Sequence, residues 1–190
     1  MPSSKYNIDW LKKEIENGTS LKYLFFWGHN SNGIDKVGHW CLSQWYESPF
    51  IVDGITYKTT EHWMMSQKAL LFNDIQQHEK IIASKKPGEV KDLGRQVRGF
   101  DEDVWAEKRY EIVRVGNVNK FSQNPELQEY LINTKNRILV EASPVDQIWG
   151  VGLSKESPKI NNVYSWRGSN LLGFALMEVR DFLRDSPSGF

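Results

Sequence analysis

Apolar residues recur at three- and four-residue intervals along most of the chain, which is the period of an amphipathic α-helix. Gly18, Pro87 and the acidic run Asp101–Asp103 are residues that typically end or begin helices. The pattern predicts helices over residues 7–17, within 57–72 after an N-cap at Thr59 or Thr60, 73–83, 87–94, 101–121, 125–134 and 170–184.

Three shorter stretches predict β-structure. YLFFW (23–27) and ILVEA (138–142) are apolar runs of strand length, and FIVDGITY (50–57) contains an Asp-Gly turn between β-forming residues. Three segments are expected to be loops: the Gly- and Asn-rich residues 28–39, SPVDQIWGVGL (143–153) and the polar SKESPKINNVYSWRGSN (154–170). The sequence has no repeat and no linker, so it predicts one mainly helical α+β domain over residues 1–190 with a small sheet or hairpin.

Composition narrows the class of protein. Basic and acidic residues are equal at 24 each, which argues against binding nucleic acid through bulk positive charge. Aromatic residues make up 13% of the 190 residues and include eight Trp, which suits either a large core or a cleft that binds a ring. The single cysteine, Cys41, and the lack of an 18-residue apolar run or a signal peptide predict an intracellular, cytoplasmic protein without a membrane span.

The helix in YKTTEHWMMSQKALLF carries charges although it is apolar almost all the way round. At about 100° per residue, Glu61 and Lys68 lie within about 20° of each other on one face, roughly 10 Å apart along the axis. That separation is too long for a direct salt bridge, so a polar ligand between the two side chains would reconcile charge with burial. The alternative is that Glu61 serves the helix dipole and Lys68 extends to solvent.

Two other segments combine chemistry-bearing residues. In EASPVDQIWGVGL, Asp146 stands three residues before Trp149, and the glycines that follow would let backbone approach a ligand. In KDLGRQVRGF, Arg95 and Arg98 have the guanidinium groups that bind phosphate bidentately. A turn aspartate with a core tryptophan, and a solvated basic turn, are the structural alternatives.

The segment LFFWGHN places Phe26, Trp27 and His29 where a strand becomes a loop, a common setting for ligand contacts, although core packing explains the Phe pair equally well. His39 and Cys41 lack the CxxC or HExxH partners of a zinc site, and a Cys41 hydrolase would need a histidine that spacing cannot identify. The chain also has no P-loop. We therefore expect no metal and no cofactor.

Taken together, LSQWYESPFIVDGITYKTTEHWMMSQKA, GRQVRGF, EASPVDQIWGVGL and NLLGFALMEVRDFL resemble the NADAR family, also called YbiA-like. The resemblance runs from about residue 23 to 184, with the motifs in the family's order. It implies the YbiA-like α+β fold and an N-glycosidase that breaks the C1–N bond between a ribose and a guanine-like or pyrimidine ring. LSQWYESPF stands here where many relatives have LSNFYPSPF, which leaves substrate choice open.

The resemblance also implies roles for particular residues. The catalytic Glu, Lys and Asp of the family motifs fall on Glu61, Lys68 and Asp146, and its Trp falls on Trp149. Carboxylates beside C1 would stabilise the positive charge that develops on the ribose, and a buried lysine amine can attack the sugar. Candidate contacts to the ring and the phosphate come from Phe26, Trp27, His29, Trp45, Trp149, Arg95 and Arg98.

Two substrate classes follow from the family: phosphoribosylamino-pyrimidine intermediates of riboflavin biosynthesis, and ADP-ribosyl groups on guanine. The neutral net charge favours the first, so nucleic acid is expected only as a modified substrate and a membrane is not expected as a partner. A non-catalytic module that binds ADP-ribose or a related nucleotide is the competing hypothesis. The presence of Glu61, Lys68 and Asp146 together argues against it.

Overall fold

The computed structural model describes residues 4–31, 33 and 36–185. Helices and short strands build this part of the chain, which confirms the predicted mainly helical α+β class. The helices are α1 (Ile8–Glu16), α2 (Thr60–Leu71), α3 (Ile75–Ala83), α4 (Pro87–Arg95), α5 (Glu102–Ser122), α6 (Pro125–Ile132) and α7 (Leu171–Asp185). The strands are β1 (Tyr23–Phe26), β2 (Phe50–Val52), β3 (Ile55–Tyr57) and β4 (Ile138–Glu141).

Side-chain caps begin several of the helices, and those at Thr59 and Asp101 lie where the sequence suggested. The Asn7 side chain accepts from the Trp10 N–H at the start of α1, and Thr59 accepts from the His62 N–H at the start of α2. The Asp101 side chain accepts from the Val104 N–H at the start of α5. The structure adds two short 3₁₀ turns, His39–Leu42 and Val163–Ser165, that the periodicity did not predict. No helix within the described ranges is long and apolar enough to cross a membrane.

The chain forms two compact units. The terminal unit contains the described parts of residues 1–43 and 126–190, and the central unit contains residues 44–125. Each unit is built around its own buried elements.

In the terminal unit, β1 and β4 pair in parallel, with Tyr23 opposite Ile138 and Phe26 opposite Glu141. Helix α7 packs on β4 so closely that a Cβ on Gly173 would lie 2.1 Å from the Leu139 carbonyl oxygen. The buried amide of Asn170 donates to the Leu139 carbonyl and accepts from the Glu141 N–H. This amide therefore joins the start of α7 to β4 by two hydrogen bonds.

In the central unit, α2 contacts α3, α4 and α5 and is buried along most of its length. The β2–β3 hairpin turns at Asp53 and Gly54, which both have positive φ as a type I′ turn requires, and this confirms the predicted hairpin. The rings of Phe50 and Tyr57 on this hairpin pack against Trp63 of α2. The apolar side of α2 opposite Glu61 and Lys68 is thus covered.

Helix α5 approaches α2 closely at Gly116. A Cβ at this position would lie 2.3 Å from Cδ1 of Trp63, whose ring is fixed by its Nε1–H donating to the Ile112 carbonyl. We expect Gly116→Ala to lower the free energy of unfolding by about 1–3 kcal/mol, because overpacking forces the ring or the helix to move. Urea denaturation would measure the change.

Gly88→Ala in α4 is the matched control for this substitution. A Cβ there would lie 3.7 Å from the nearest atom of Trp45, an ordinary contact, so stability should stay unchanged or rise by up to about 1 kcal/mol. Equal destabilisation by Gly88→Ala and Gly116→Ala would contradict the close-approach explanation.

Candidate active site

Glu61 and Lys68 both lie on α2, in the central unit. Glu61 occupies the first turn, where its main-chain N–H donates to the Gln44 carbonyl, and only 3% of the residue is exposed. Lys68 lies two turns later and is half-buried. The helix dipole stabilises a carboxylate in the first turn, but this interaction does not require the side chain to be buried.

The ammonium of Lys68 lies among aromatic rings. Its Nζ is 4.0 Å from the ring centroid of Phe100 and 5.7 Å from that of Trp105, and it donates to the Gly94 carbonyl at 2.9 Å. Burial lowers the pKa of Lys68 from its ordinary value of 10.5, and the carboxylate of Glu102 offsets part of this effect. Such an amine loses its proton more readily than a solvated lysine and then carries a nucleophilic lone pair.

The carbonyl that binds Lys68 is positioned by close helix packing. A Cβ on Gly94 would lie 2.0 Å from Sδ of Met65, so α4 approaches α2 at the level of the Lys68 side chain only because residue 94 is glycine. The sequence suggested only that Gly94 lies near the end of α4. Its role in holding Lys68 follows from the packing of two helices.

His62, next to Glu61 in sequence, is a buried structural residue. Its Nδ1 lies 2.8 Å from the Thr59 hydroxyl oxygen and its Nε2 lies 3.3 Å from the Ser84 carbonyl oxygen. A carbonyl can only accept, so Nε2 carries the proton and Nδ1 accepts from the hydroxyl. Burial lowers the pKa of His62, which favours the neutral imidazole. Both ring nitrogens are used in hydrogen bonds within the protein.

Asp146 and Trp149 lie in the terminal unit, in the loop that follows β4. Asp146 Oδ1 accepts from the main-chain N–H groups of Ile148 at 2.9 Å and Trp149 at 2.8 Å, and the Asp146 N–H donates to the Ser143 hydroxyl. Both Asp146 and Trp149 are half-buried. This turn fixes the orientation of the carboxylate and leaves it within reach of solvent.

The glycines of Gly150-Val151-Gly152 pack against protein. A Cβ on Gly150 would lie 2.8 Å from the Glu141 carbonyl oxygen, and one on Gly152 would lie 2.9 Å from Cβ of Arg167. Close packing thus already requires glycine at these two positions, and the approach of a ligand to this backbone stays a prediction. They let the loop fold back on the end of β4, where the Val151 N–H donates to the Glu141 carbonyl.

The two arginines that the sequence singled out are both paired within the central unit. Arg98 donates from Nε at 3.1 Å and from a terminal nitrogen at 2.6 Å to the buried carboxylate of Asp74. This pairing holds the pKa of the Asp74 carboxyl well below its usual range. Arg95 pairs with Asp92 on the exposed side of α4 at 2.9 Å. Phosphate binding by either residue stays a prediction, and for Arg98 it would compete with Asp74.

The aromatic candidates have different environments. In the terminal unit, Phe26 ends β1 with 2% exposure, whereas Trp27 directly after it is 58% exposed and His29 is half-buried. In the central unit, Trp45 is half-buried beside α4, with Lys91 Nζ 5.9 Å from its ring centroid. Core packing therefore explains Phe26, while Trp27 has the exposed indole that a ring-binding residue needs.

Sequence inspection missed the two rings around Lys68. Phe100 and Trp105 are more than thirty residues from Lys68 in the sequence, and no local spacing connects either of them to α2. The abundance of tryptophan was the only available signal, and it did not distinguish Trp105 from the others. Among the described residues, no group of three His, Cys, Asp or Glu side chains could hold a metal ion.

Comparison with known proteins shows the family to which the chain belongs. A family model described as NADAR domain matches residues 25–184. N-glycosidase R617 of Acanthamoeba polyphaga mimivirus is 41% identical over 165 residues, which are 84% of this chain and 95% of that protein. Riboflavin biosynthesis protein VVA0006 of Vibrio vulnificus is 29% identical over 147 residues, which are 77% of this chain and 36% of that protein.

A solved structure gives the same result for the fold. The NMR structure of the Escherichia coli protein YbiA superposes with a TM-score of 0.69 at 28% identity, covering 87% of both chains. This similarity confirms the YbiA-like α+β fold that the resemblance implied. On the family match and the identity to a named N-glycosidase, the chain belongs to the NADAR domain family and is an enzyme of the N-glycosidase class.

Proposed function

We propose that this enzyme hydrolyses the C1–N bond between ribose 5-phosphate and the pyrimidine ring of a phosphoribosylamino-pyrimidine intermediate of riboflavin biosynthesis. The Vibrio vulnificus relative is named as a riboflavin biosynthesis protein, and this supports the substrate class. The even balance of acidic and basic residues also favours a small-molecule substrate over a nucleic acid.

The observation that carries the proposal is the environment of Lys68. Its amine lies against two aromatic rings and one carbonyl, its pKa is lowered by burial, and it shares a helix face with the buried Glu61. A module that only binds nucleotides would have no use for a primary amine whose charge is disfavoured in this way. A nucleophilic amine can attack a sugar C1, and a carboxyl group on the same helix face can supply a proton to the departing nitrogen.

The proposed reaction begins when the neutral Nζ of Lys68 donates its lone pair to C1. The C1–N bond to the pyrimidine breaks, and the departing nitrogen takes the bonding pair and a proton from a carboxyl group, assigned here to Glu61. Loss of an Nζ proton and opening of the ribose ring give a C1=Nζ Schiff base, with the ring oxygen taking a proton. Water then adds to C1 and releases ribose 5-phosphate and the free lysine.

The remaining residues are assigned by the family motif. Asp146 is proposed to stabilise the positive charge at C1 and to orient the attacking water, because its carboxylate is fixed by two N–H groups yet accessible to solvent. Trp149 and the exposed Trp27 are proposed to contact the ring. Arg95 is a better candidate for the phosphate than Arg98, since it pairs with the exposed Asp92 whereas Arg98 is bound to the buried Asp74.

The test is to incubate the protein separately with a phosphoribosylamino-pyrimidine and with ADP-ribosylated guanosine, and to follow product release by mass spectrometry. The proposal predicts release of ribose 5-phosphate and the free pyrimidine from the first substrate. Turnover of the ADP-ribosylated guanosine alone would overturn the substrate assignment. Tight binding of either compound without turnover would overturn the enzymatic assignment.

A further inference from the structure

A cavity of about 550 Å³ opens in the terminal unit between the end of α6 and helix α7. It is lined by Ile132, Asn133, Lys135, Asn136, Arg180 and Arg184. None of these residues belongs to the proposed glycosidase site. Three of the six are cationic and none is acidic, so the lining favours an anion.

Arg180 is the unusual member of this lining. It is only 3% exposed, and its guanidinium donates to the Thr134 hydroxyl at 2.9 Å and the Arg137 carbonyl at 2.8 Å, which are both neutral acceptors. Its Nε is buried and has no acceptor among the described residues. Burial lowers the pKa of Arg180, and the neighbouring carboxylate of Asp181 compensates only in part.

The carboxylate of Asp181 is already shared by other donors. It accepts from the ammonium of Lys5, from the Tyr6 hydroxyl at 2.6 Å and from Arg184 at 3.3 Å. A buried guanidinium whose hydrogen bonds all go to neutral groups carries a solvation cost that an anion in the adjacent cavity would offset. Arg180 therefore points to a ligand rather than to an internal ion pair.

Lys135 sits at the mouth of the cavity in a strained turn. Its φ is +56°, which is unfavourable for a residue with a Cβ, and hydrogen bonds from Lys135 N–H to Ile132 and from Arg137 N–H to Thr134 hold the turn. The side chain is exposed and forms no ion pair with any residue that the structure describes. The turn thus presents a free ammonium beside the buried guanidinium of Arg180.

A second recess, of about 270 Å³, adjoins the first and shares Lys135, Asn136, Arg180 and Arg184 with it. Its apolar lining consists of Tyr6, Trp10, Leu21, Ile138 and Met177. It is also lined by two acidic residues, Glu14 and Asp181, of which Asp181 is paired with Lys5 and Arg184. The rings of Tyr6 and Trp10 lie 4.7 Å apart, edge to face. A cationic cavity beside an aromatic recess suits a ligand that carries both a phosphate and an aromatic ring, and the cavity of about 550 Å³ is in the size range of small-molecule sites.

From this juxtaposition we infer that the α6–α7 cavity binds the phosphate of a small phosphate monoester that also carries an aromatic ring, of the nucleoside monophosphate class. This site is separate from the glycosidase centre. Lys135 contacts the phosphate at the mouth, as does Arg184 in exchange for its ion pairs with Asp181 and Asp185. Arg180 supplies the buried positive charge behind them. The ring of the ligand packs in the recess beside Tyr6 and Trp10. The inference does not depend on the proposed substrate, because none of its residues takes part in that reaction.

The test is a titration of the isotopically labelled protein with a nucleoside 5′-monophosphate, followed by ¹H–¹⁵N NMR. We expect the amide signals of residues 133–136 to shift, and the Kd from those shifts to rise at least about tenfold in Lys135→Ala/Arg184→Ala. Arg180 is left intact because its bonds to Thr134 and Arg137 support the fold. Lys80→Ala/Lys85→Ala, which removes two exposed lysines of the central unit, is the charge-matched control and should bind normally.

Three further measurements test which chemical group of the ligand is recognised and whether the site is separate from the glycosidase centre. The parent nucleoside without phosphate should not shift these signals, and inorganic phosphate should shift them more weakly than the monophosphate. Glycosidase activity should be the same in the Lys135→Ala/Arg184→Ala variant and the wild type. Unchanged binding in that variant, shifts confined to the signals around Lys68, or a response only to a single-stranded oligonucleotide would overturn the inference.

Discussion

Replacement of Lys68 by methionine should lower kcat/KM on the riboflavin intermediate at least about a thousandfold without unfolding the protein. The apolar methionine side chain has nearly the length of lysine and can lie against the rings of Phe100 and Trp105, so the packing of α2 is preserved. The reaction loses the amine that attacks C1. Lys68→Arg should be equally inactive, because it keeps the positive charge but provides no nucleophile near neutral pH.

The pH dependence gives an independent test of the same role. The nucleophile is the neutral amine, so kcat/KM in the wild type should increase as the pH rises through the pKa of Lys68. Since burial lowers that pKa, the midpoint of the increase should lie below the ordinary lysine value of 10.5. The residual activity of Lys68→Met should lack this rise.

Borohydride reduction connects the prediction to the covalent step. With substrate present, it should attach the sugar to the peptide that contains Lys68, as measured by mass spectrometry. Lys80→Met, an exposed lysine of the same unit, is the control and should be labelled like the wild type. Equal labelling of Lys68→Met and the wild type would show that another amine forms the adduct.

Replacement of Glu61 by glutamine should lower kcat by about 10²- to 10⁴-fold, the usual contribution of a positioned proton donor or acceptor. The substitution preserves shape, and the main-chain bond from Glu61 N–H to the Gln44 carbonyl does not involve the side chain. The loss should therefore appear in kcat with an unchanged free energy of unfolding to within about 1 kcal/mol. Glu79→Gln, on the exposed side of α3, should remain fully active.

The leaving group distinguishes a proton donor from a carboxylate that only stabilises charge. A ribose 5-phosphate derivative whose leaving group departs as a stable anion needs no proton, so it should restore most of the rate of Glu61→Gln. The same compound should not rescue Asp146→Asn, if Asp146 stabilises the charge at C1. Rescue of Asp146→Asn but not of Glu61→Gln would reverse the two assignments.

Prediction from the sequence succeeded where the determining interactions are local. The periodic spacing, the capping residues and the Asp53-Gly54 turn each act within a few residues, and they correctly located the α-helices and the hairpin of the described residues, though not the two 3₁₀ turns. The shared face of Glu61 and Lys68 follows from helix geometry alone. The assignment of Asp146, in contrast, came from the family motif, since nothing local connects this residue to α2.

Within the candidate site, the residues that tune Lys68 were not predictable. The Gly94 carbonyl, Phe100 and Trp105 reach its amine because α4, the segment before α5 and the start of α5 pack against α2. That packing depends on contacts between residues distant in sequence, such as Gly94 against Met65. A single sequence contains no signal for such contacts.

The sequence by itself determined the secondary structure, the α+β class and the motifs that identify the family, because each depends on short-range spacing or residue type. Only the tertiary structure decided the parallel pairing of β1 with β4, the use of Arg98 by Asp74, and the burial of Arg180 beside a cationic cavity. These features arise when distant segments exclude water from each other. Burial, which only the folded chain defines, then changes the solvation of Lys68 and Arg180 and so their chemistry.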